Sequence, residues 1–163
     1  TTGVDMGDGS GPLEIGGFSH VCIGVSDMDR SIDFYRDLLG MDVVFDVELE
    51  GPSMESVTGR SGAKGRMVGG LIGGAMIELL ALGDTPTGKP GPRIGYTNIS
   101  FRVDDLDATY RQVLALGHAA QGEPVDIGGV RMFFVADPDG TPIEIIELPN
   151  GLTSTVEMWR GPT

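Results

Sequence analysis

The chain reads as an α+β protein built from two tandem β-α-β-β-β modules, and three observations predict this. Residues 18–29 and 96–107 follow one pattern: an aromatic, a small polar residue, a polar residue, alternating apolar positions, then an acidic cluster suited to opening a helix. A second echo pairs Met76-Ile77-Glu78-Leu79-Leu80 with Pro142-Ile143-Glu144-Ile145-Ile146. Between the echoes, strand-like and helix-like hydrophobic spacings succeed one another in the same order in both halves.

The elements follow from the residues in turn. Residues 1–16 offer almost nothing to bury and read as a flexible tail. Residues 18–25 alternate and are β-branched, which predicts a strand. Asp27, Met28 and Asp29 open a helix to about Leu39, with Met28, Ile32, Tyr35, Leu38 and Leu39 at helical spacing and Gly40 placed to stop it. Residues 41–47 read as a second strand. Residues 66–72 and 75–82 form a hairpin around Gly73-Gly74, completing a first module at 17–82.

Residues 83–95 carry three prolines and four glycines and read as the linker. The second module, 96–148, repeats the order. It has a strand at 96–103, a helix at 105–116 ended by Gly117, an irregular strand at 119–125 and a strand at 130–136. A tight turn at Asp137-Pro138-Asp139-Gly140 leads to a last strand at 142–148. Residues 149–163 read as a polar tail whose Trp159 is expected to dock on the body or on a partner. His20 and Asn98 lie 78 residues apart, Glu78 and Glu144 only 66, so about 12 extra residues belong to the first module. Residues 49–63 are the place for them, as a short helix that is either a lid or a plain solvent loop.

A formal net charge of −13 over 163 residues disfavours nucleic acid and anionic membrane surfaces as partners. The longest apolar runs, 75–82 and 143–148, are too short to span a bilayer. Residues 1–17 are rich in Gly and Asp and lack the basic-then-apolar pattern of a secretory leader. A single cysteine, Cys22, excludes an internal disulfide framework and suits a reducing compartment. The expectation is a cytoplasmic, soluble protein.

Alternation along a strand puts His20 and Cys22 on one face, and Asn98, Ser100 and Arg102 on the matching face of the second module. Glu78 and Glu144 sit among apolar neighbours, where a carboxylate is costly unless paired, hydrogen-bonded or bound to a cation. One imidazole, one amide and two carboxylates turned to a common point suit a divalent ion: Fe, Mn, Ni, Co, Zn or Mg. Such an ion would polarise a substrate carbonyl or enediolate while a carboxylate shuttles a proton. Each residue also has a plainer reading. His20 could be a hydrogen-bonded structural residue. Glu78 and Glu144 could face solvent from a strand edge, and Asn98 could bond a ligand or the backbone. Arg102 could hold an anionic substrate or form a surface salt bridge. His118 reads as a surface residue without a partner, and Cys22 as a small core or cavity-lining residue.

Several segments together carry a family resemblance: His20 in its strand followed by Asp27-Met28-Asp29 and Phe34-Tyr35; Met76-Ile77-Glu78-Leu79; residues 98–106; and Asp137-Pro138-Asp139-Gly140 before Pro142-Ile143-Glu144. Over residues 18–148 the chain resembles the vicinal oxygen chelate superfamily. That superfamily includes glyoxalase I, methylmalonyl-CoA epimerase, extradiol dioxygenases, fosfomycin-resistance enzymes and bleomycin-binding proteins. The resemblance implies paired modules forming a cup-shaped mixed sheet around a metal held by His20, Glu78, Asn98 and Glu144. It implies a homodimer, in some members with modules paired across subunits, and a role for Glu144 as a base that leaves the metal. The chain departs from the family where the third ligand, commonly histidine, is Asn98. With one candidate histidine it lacks the two-His, one-carboxylate set of extradiol dioxygenases. Strand 66–72 holds no additional carboxylate base of the epimerase kind. Two functions are therefore expected as alternatives. One is a metal-dependent lyase or isomerase acting on a small oxygenated substrate, with Arg102 as a substrate contact. The other is a non-catalytic protein that sequesters a small molecule such as an antibiotic.

Overall fold

The computed structural model describes residues 18–83 and 98–161. The expected tail at 1–16 and nearly all of the linker at 83–95 lie outside the described residues. In the first module β1 (His20–Gly24) leads to α1 (Met28–Asp33), then β2 (Asp42–Leu49), α2 (Pro52–Thr58), β3 (Gly65–Ile72) and β4 (Ala75–Ala81). In the second, β5 (Ile99–Arg102) leads to α3 (Leu106–Ala115), β6 (Val125–Ile127), β7 (Val130–Ala136) and β8 (Pro142–Glu147), with α4 (Thr155–Arg160) beyond. Each module forms its own four-stranded mixed sheet, ordered β1-β4-β3-β2 and β5-β8-β7-β6. First and last strands pair in parallel, and the other neighbours are antiparallel.

Local chemistry explains the boundaries. Asp27 caps α1 by accepting the Arg30 N–H at 3.0 Å, and Asp105 caps α3 by accepting that of Ala108 at 2.9 Å. The helix expected to reach Leu39 changes character at Phe34–Leu38, which form a π-helical turn. That widened turn lets the adjacent Phe34 and Tyr35 both face inward, at 7% and 0% exposure. Gly73 and Gly74 take φ of +56° and +82°, the pair of positive angles that a two-residue hairpin demands. At Gly69 the Phe45 ring lies across the strand where a side chain would stand: a Cβ there would come 2.2 Å from Phe45 Cε1.

Some expectations are corrected. Residues 119–124 do not form a strand. They contribute one isolated bridge, Ala120 to Val135, and true pairing begins only at β6, next to the Gly128-Gly129 turn that lines it up with β7. The C-terminal residues are not a plain tail: Ser154 caps α4 by accepting the Val156 N–H at 3.1 Å. Trp159, at 77% exposure, does not dock on the body. The insert does carry a short helix, α2, flanked by Gly51 and Gly59 at positive φ.

One apolar cluster, with Tyr35, Val68, Ile77 and Leu79 from the first module and Leu106, Phe133, Val135 and Ile143 from the second, lies on the helix side of both sheets. The modules meet there. Tyr35 donates its hydroxyl to Asp137 Oδ2 at 2.8 Å, and Ser26 donates both N–H and hydroxyl to Asp139. His118, expected to be a partnerless surface residue, packs edge-on against Phe34 with ring centres 5.7 Å apart. Each module also carries the same ionic brace. Arg66 on β3 grips Asp29 of α1 and Asp46 of β2, while Arg131 on β7 grips Asp107 of α3 and approaches Glu147 of β8. These braces are partly exposed, so each adds little stability but fixes how the helix crosses its sheet.

Candidate functional site

The faces turned away from the helices carry the candidate residues. Glu78 and Glu144 do not face solvent from strand edges, because β4 lies between β1 and β3, and β8 between β5 and β7. Register places Cys22 opposite Glu78 and Ser100 opposite Glu144, so the two modules present the same arrangement. In the first module His20 Nε2 lies 3.2 Å from Glu78 Oε2, with side-chain exposures of 40% and 15%. On the other side of the ring, His20 Nδ1 lies 2.8 Å from Ser19 Oγ. In the second module Asn98 Nδ2 donates to Glu144 Oε2 at 3.3 Å.

One chain thus presents these four residues as two pairs. Among the described residues no three His, Cys, Asp or Glu side chains gather as one ion requires. The His20–Glu78 pair has the spacing of neighbouring ligands, whereas Asn98 meets Glu144 through its amide N–H and would offer an ion its Oδ1 instead. Donors bound 2.0–2.2 Å from a common ion at tetrahedral or octahedral angles stand roughly 3.0–3.4 Å apart. The donor chemistry, one nitrogen and otherwise oxygens, fits a divalent ion of the Fe, Mn, Ni, Co, Zn or Mg group.

Arg102 shares the face of Asn98 and pairs with Asp104 through Nη1. Cys22 is exposed and belongs to no core. The protein packed around its sulfur, and after that the Glu78 carboxylate, raise the thiol above its ordinary value. Two positions escaped the sequence reading. Ser19 beside His20 had a signal, because Thr97 repeats a hydroxyl at the equivalent place. Asp137, 4% exposed, read only as a turn residue; it accepts the N–H groups of Asp139 and Thr141 at 2.9 and 2.8 Å besides the Tyr35 hydroxyl. Burial raises its carboxyl above the ordinary range despite those three donors.

Two mixed four-stranded sheets, each with a carboxylate on its last strand and a polar partner on or beside its first, define a tandem β-α-β-β-β protein. The sequence pattern of the Glyoxalase/Bleomycin resistance protein/Dioxygenase superfamily matches residues 17–145, and the chain belongs to that superfamily. It is 33% identical to a lactoylglutathione lyase of Haemophilus influenzae, over 78% of this chain and 90% of that protein. It is 30% identical to the metallothiol transferase FosB of Staphylococcus epidermidis, over 82% of each. Among solved structures, a glyoxalase family protein from Bacillus cereus shares the fold with a TM-score of 0.71 at 22% identity, over 85% of this chain and 97% of that one. No helix among the described residues is long and apolar enough to cross a membrane.

Proposed function

We propose that the chain is a metal-dependent lyase or isomerase acting on a small oxygenated substrate. The observation that carries this reading is the repeated pair: His20 with Glu78 at 3.2 Å and Asn98 with Glu144 at 3.3 Å, at equivalent places in the two modules. Relatives named as a lyase and as a metallothiol transferase support a metalloenzyme of this superfamily.

Each pair supplies half of a coordination sphere, so the complete centre needs two chains. Apolar residues on the open faces favour this arrangement: Val47 and Leu71 are 41% and 39% exposed in the first module, Val125 and Ile127 50% and 64% in the second. In a homodimer the first module of one copy closes over the second module of the other. His20 and Glu78 of one copy then meet Asn98 and Glu144 of the second.

The bound ion supplies Lewis acidity toward a substrate oxygen. His20 would hold the ion through Nε2, with Ser19 Oγ, 2.8 Å from Nδ1, receiving the hydrogen on that nitrogen and fixing the ring plane. Glu78 holds the second position from an interior strand. Glu144 is the proton carrier: its carboxylate takes a proton from substrate carbon and returns it to the neighbouring position, and the Asn98 amide aligns it. Arg102, four residues along the same face, neutralises an anionic group of the substrate.

The experiment is metal analysis of protein purified without chelators. One divalent ion per pair of modules, lost in His20→Ala while the fold persists, supports the reading; metal-free protein with no affinity for added ions refutes it. A second reading, a small-molecule sequestering protein, is favoured by one observation: the Asn98 amide donates a hydrogen bond to Glu144 at 3.3 Å without any cation. Absence of metal together with tight ligand capture decides for it.

A further inference from the structure

A cleft of ≈ 870 Å³ runs between the two modules, from their helix side round the β5 edge to the open face of the second module. β5 forms its ridge. This outermost strand and the residues flanking it present Ile99, Phe101 and Val103 to the cleft from one face and Asn98, Ser100 and Arg102 from the other. Val21 and Ile77 of the first module stand opposite. Close packing is interrupted here. Ile23, Ile143 and Ile145 are 4%, 0% and 4% exposed, whereas Val21, Ile99, Phe101 and Val103, on the same sheet faces, are only partly buried. An apolar hollow of this size with polar groups gathered at one end has the make-up of a small-molecule site. Its polar end is continuous with the second half-site, since Asn98 both lines the cleft and donates to Glu144 at 3.3 Å.

We propose that this cleft is a substrate subsite: it takes the aryl or branched alkyl arm of an amphipathic molecule whose oxygenated head lies at Arg102, Asn98 and Glu144. The proposal rests on the reading of Asn98 and Glu144 as half of the reactive centre and narrows its substrate class to molecules with one anionic or carbonyl end and one bulky apolar end. Asp104, 90% exposed, engages Arg102 from the solvent side; an exposed pair of this kind yields readily to an anionic head group.

The test uses the full chain and two fluorescent probes sharing an aryl body: anionic 8-anilinonaphthalene-1-sulfonate and neutral N-phenyl-1-naphthylamine. Both are expected to bind saturably, one per chain. Val103→Phe and Ile99→Phe fill the cleft and weaken both probes tenfold or more. Arg102→Gln weakens the anionic probe at least fivefold and leaves the neutral one within twofold. Val44→Ser, exposed on the far-edge strand β2, changes neither. Lack of saturable binding overturns the proposal, as does binding that the filling variants leave intact. If a filling variant loses its far-ultraviolet circular dichroism, the Arg102→Gln comparison decides. Metal titration separates the two readings: protein that takes up metal but neither probe refutes the subsite alone, and protein that binds probe but no metal refutes the metal centre.

Discussion

Tyr35 and Asp137, 102 positions apart, form a buried hydrogen bond of 2.8 Å that ties the first module to the turn before β8. Tyr35 is fully buried and Asp137 nearly so, so water cannot replace the contact. Removing the hydroxyl in Tyr35→Phe leaves a buried acceptor with one partner fewer, a loss of about 1–3 kcal/mol. Thermal unfolding followed by circular dichroism should show a midpoint lowered by several degrees. An unchanged midpoint would mean that the junction is held by apolar packing alone.

Asp137 also predicts a pH dependence. Burial raises its carboxyl above the ordinary value in the folded state, so the folded protein binds that proton more tightly than the unfolded chain does. The associated stability is fully present below the ordinary carboxylate pKa and is lost as pH rises through the raised one. Asp137→Asn keeps an oxygen for the N–H groups of Asp139 and Thr141 and removes the titration. Melting temperature against pH should therefore be flatter for the variant in the mildly acidic range. Asp46 and Asp107, lowered first by their hydrogen bonds to Arg66 and Arg131, act oppositely: their contribution is present above the ordinary value and fades as pH falls.

Asn98→His places an imidazole where Asn98 now stands beside Glu144. A nitrogen donor there should raise affinity for Ni, Co or Zn at least tenfold, following the preference of imidazole for these ions. Competition against a colorimetric chelator measures it. Equal affinity in the two proteins would show that position 98 does not reach the ion.

Val47 lies on the open face of β2, in register with Met67, and is 41% exposed in one chain. If that face closes over a second copy, Val47→Asp buries an unpaired charge in the contact. Light scattering should then find a monomer where the parent protein is a dimer, with metal content falling in step. A parent that is itself monomeric at high micromolar concentration would rule out the shared centre.

Much of the architecture was legible because it is duplicated. Asp29 and Asp107 open their helices at equivalent places, and the strands carrying His20, Asn98, Glu78 and Glu144 could be read from alternation alone. Register then follows from hydrogen bonding, which is how each carboxylate comes to face a polar residue of the neighbouring strand. The division of the four groups into two pairs was not legible. It depends on how the modules pack, and that is decided by Tyr35 with Asp137 and Ser26 with Asp139, contacts between distant residues that share no periodicity. The π-turn was hidden for a similar reason: Phe34 and Tyr35 fit a helical stripe well enough, and only the demand to bury both rings widens the backbone. The braces did leave a trace, since Arg66 and Arg131 both sit two residues before a buried strand valine or phenylalanine.

The position of Trp159 has a practical outcome for anyone following this protein spectroscopically. It is the sole indole in the chain, held on a short terminal helix with most of its surface in water. Its emission should already sit near the red limit in the native state and change little when the core melts. The same placement makes it a clean reporter of anything that comes to lie over α4, where a blue shift would register contact directly.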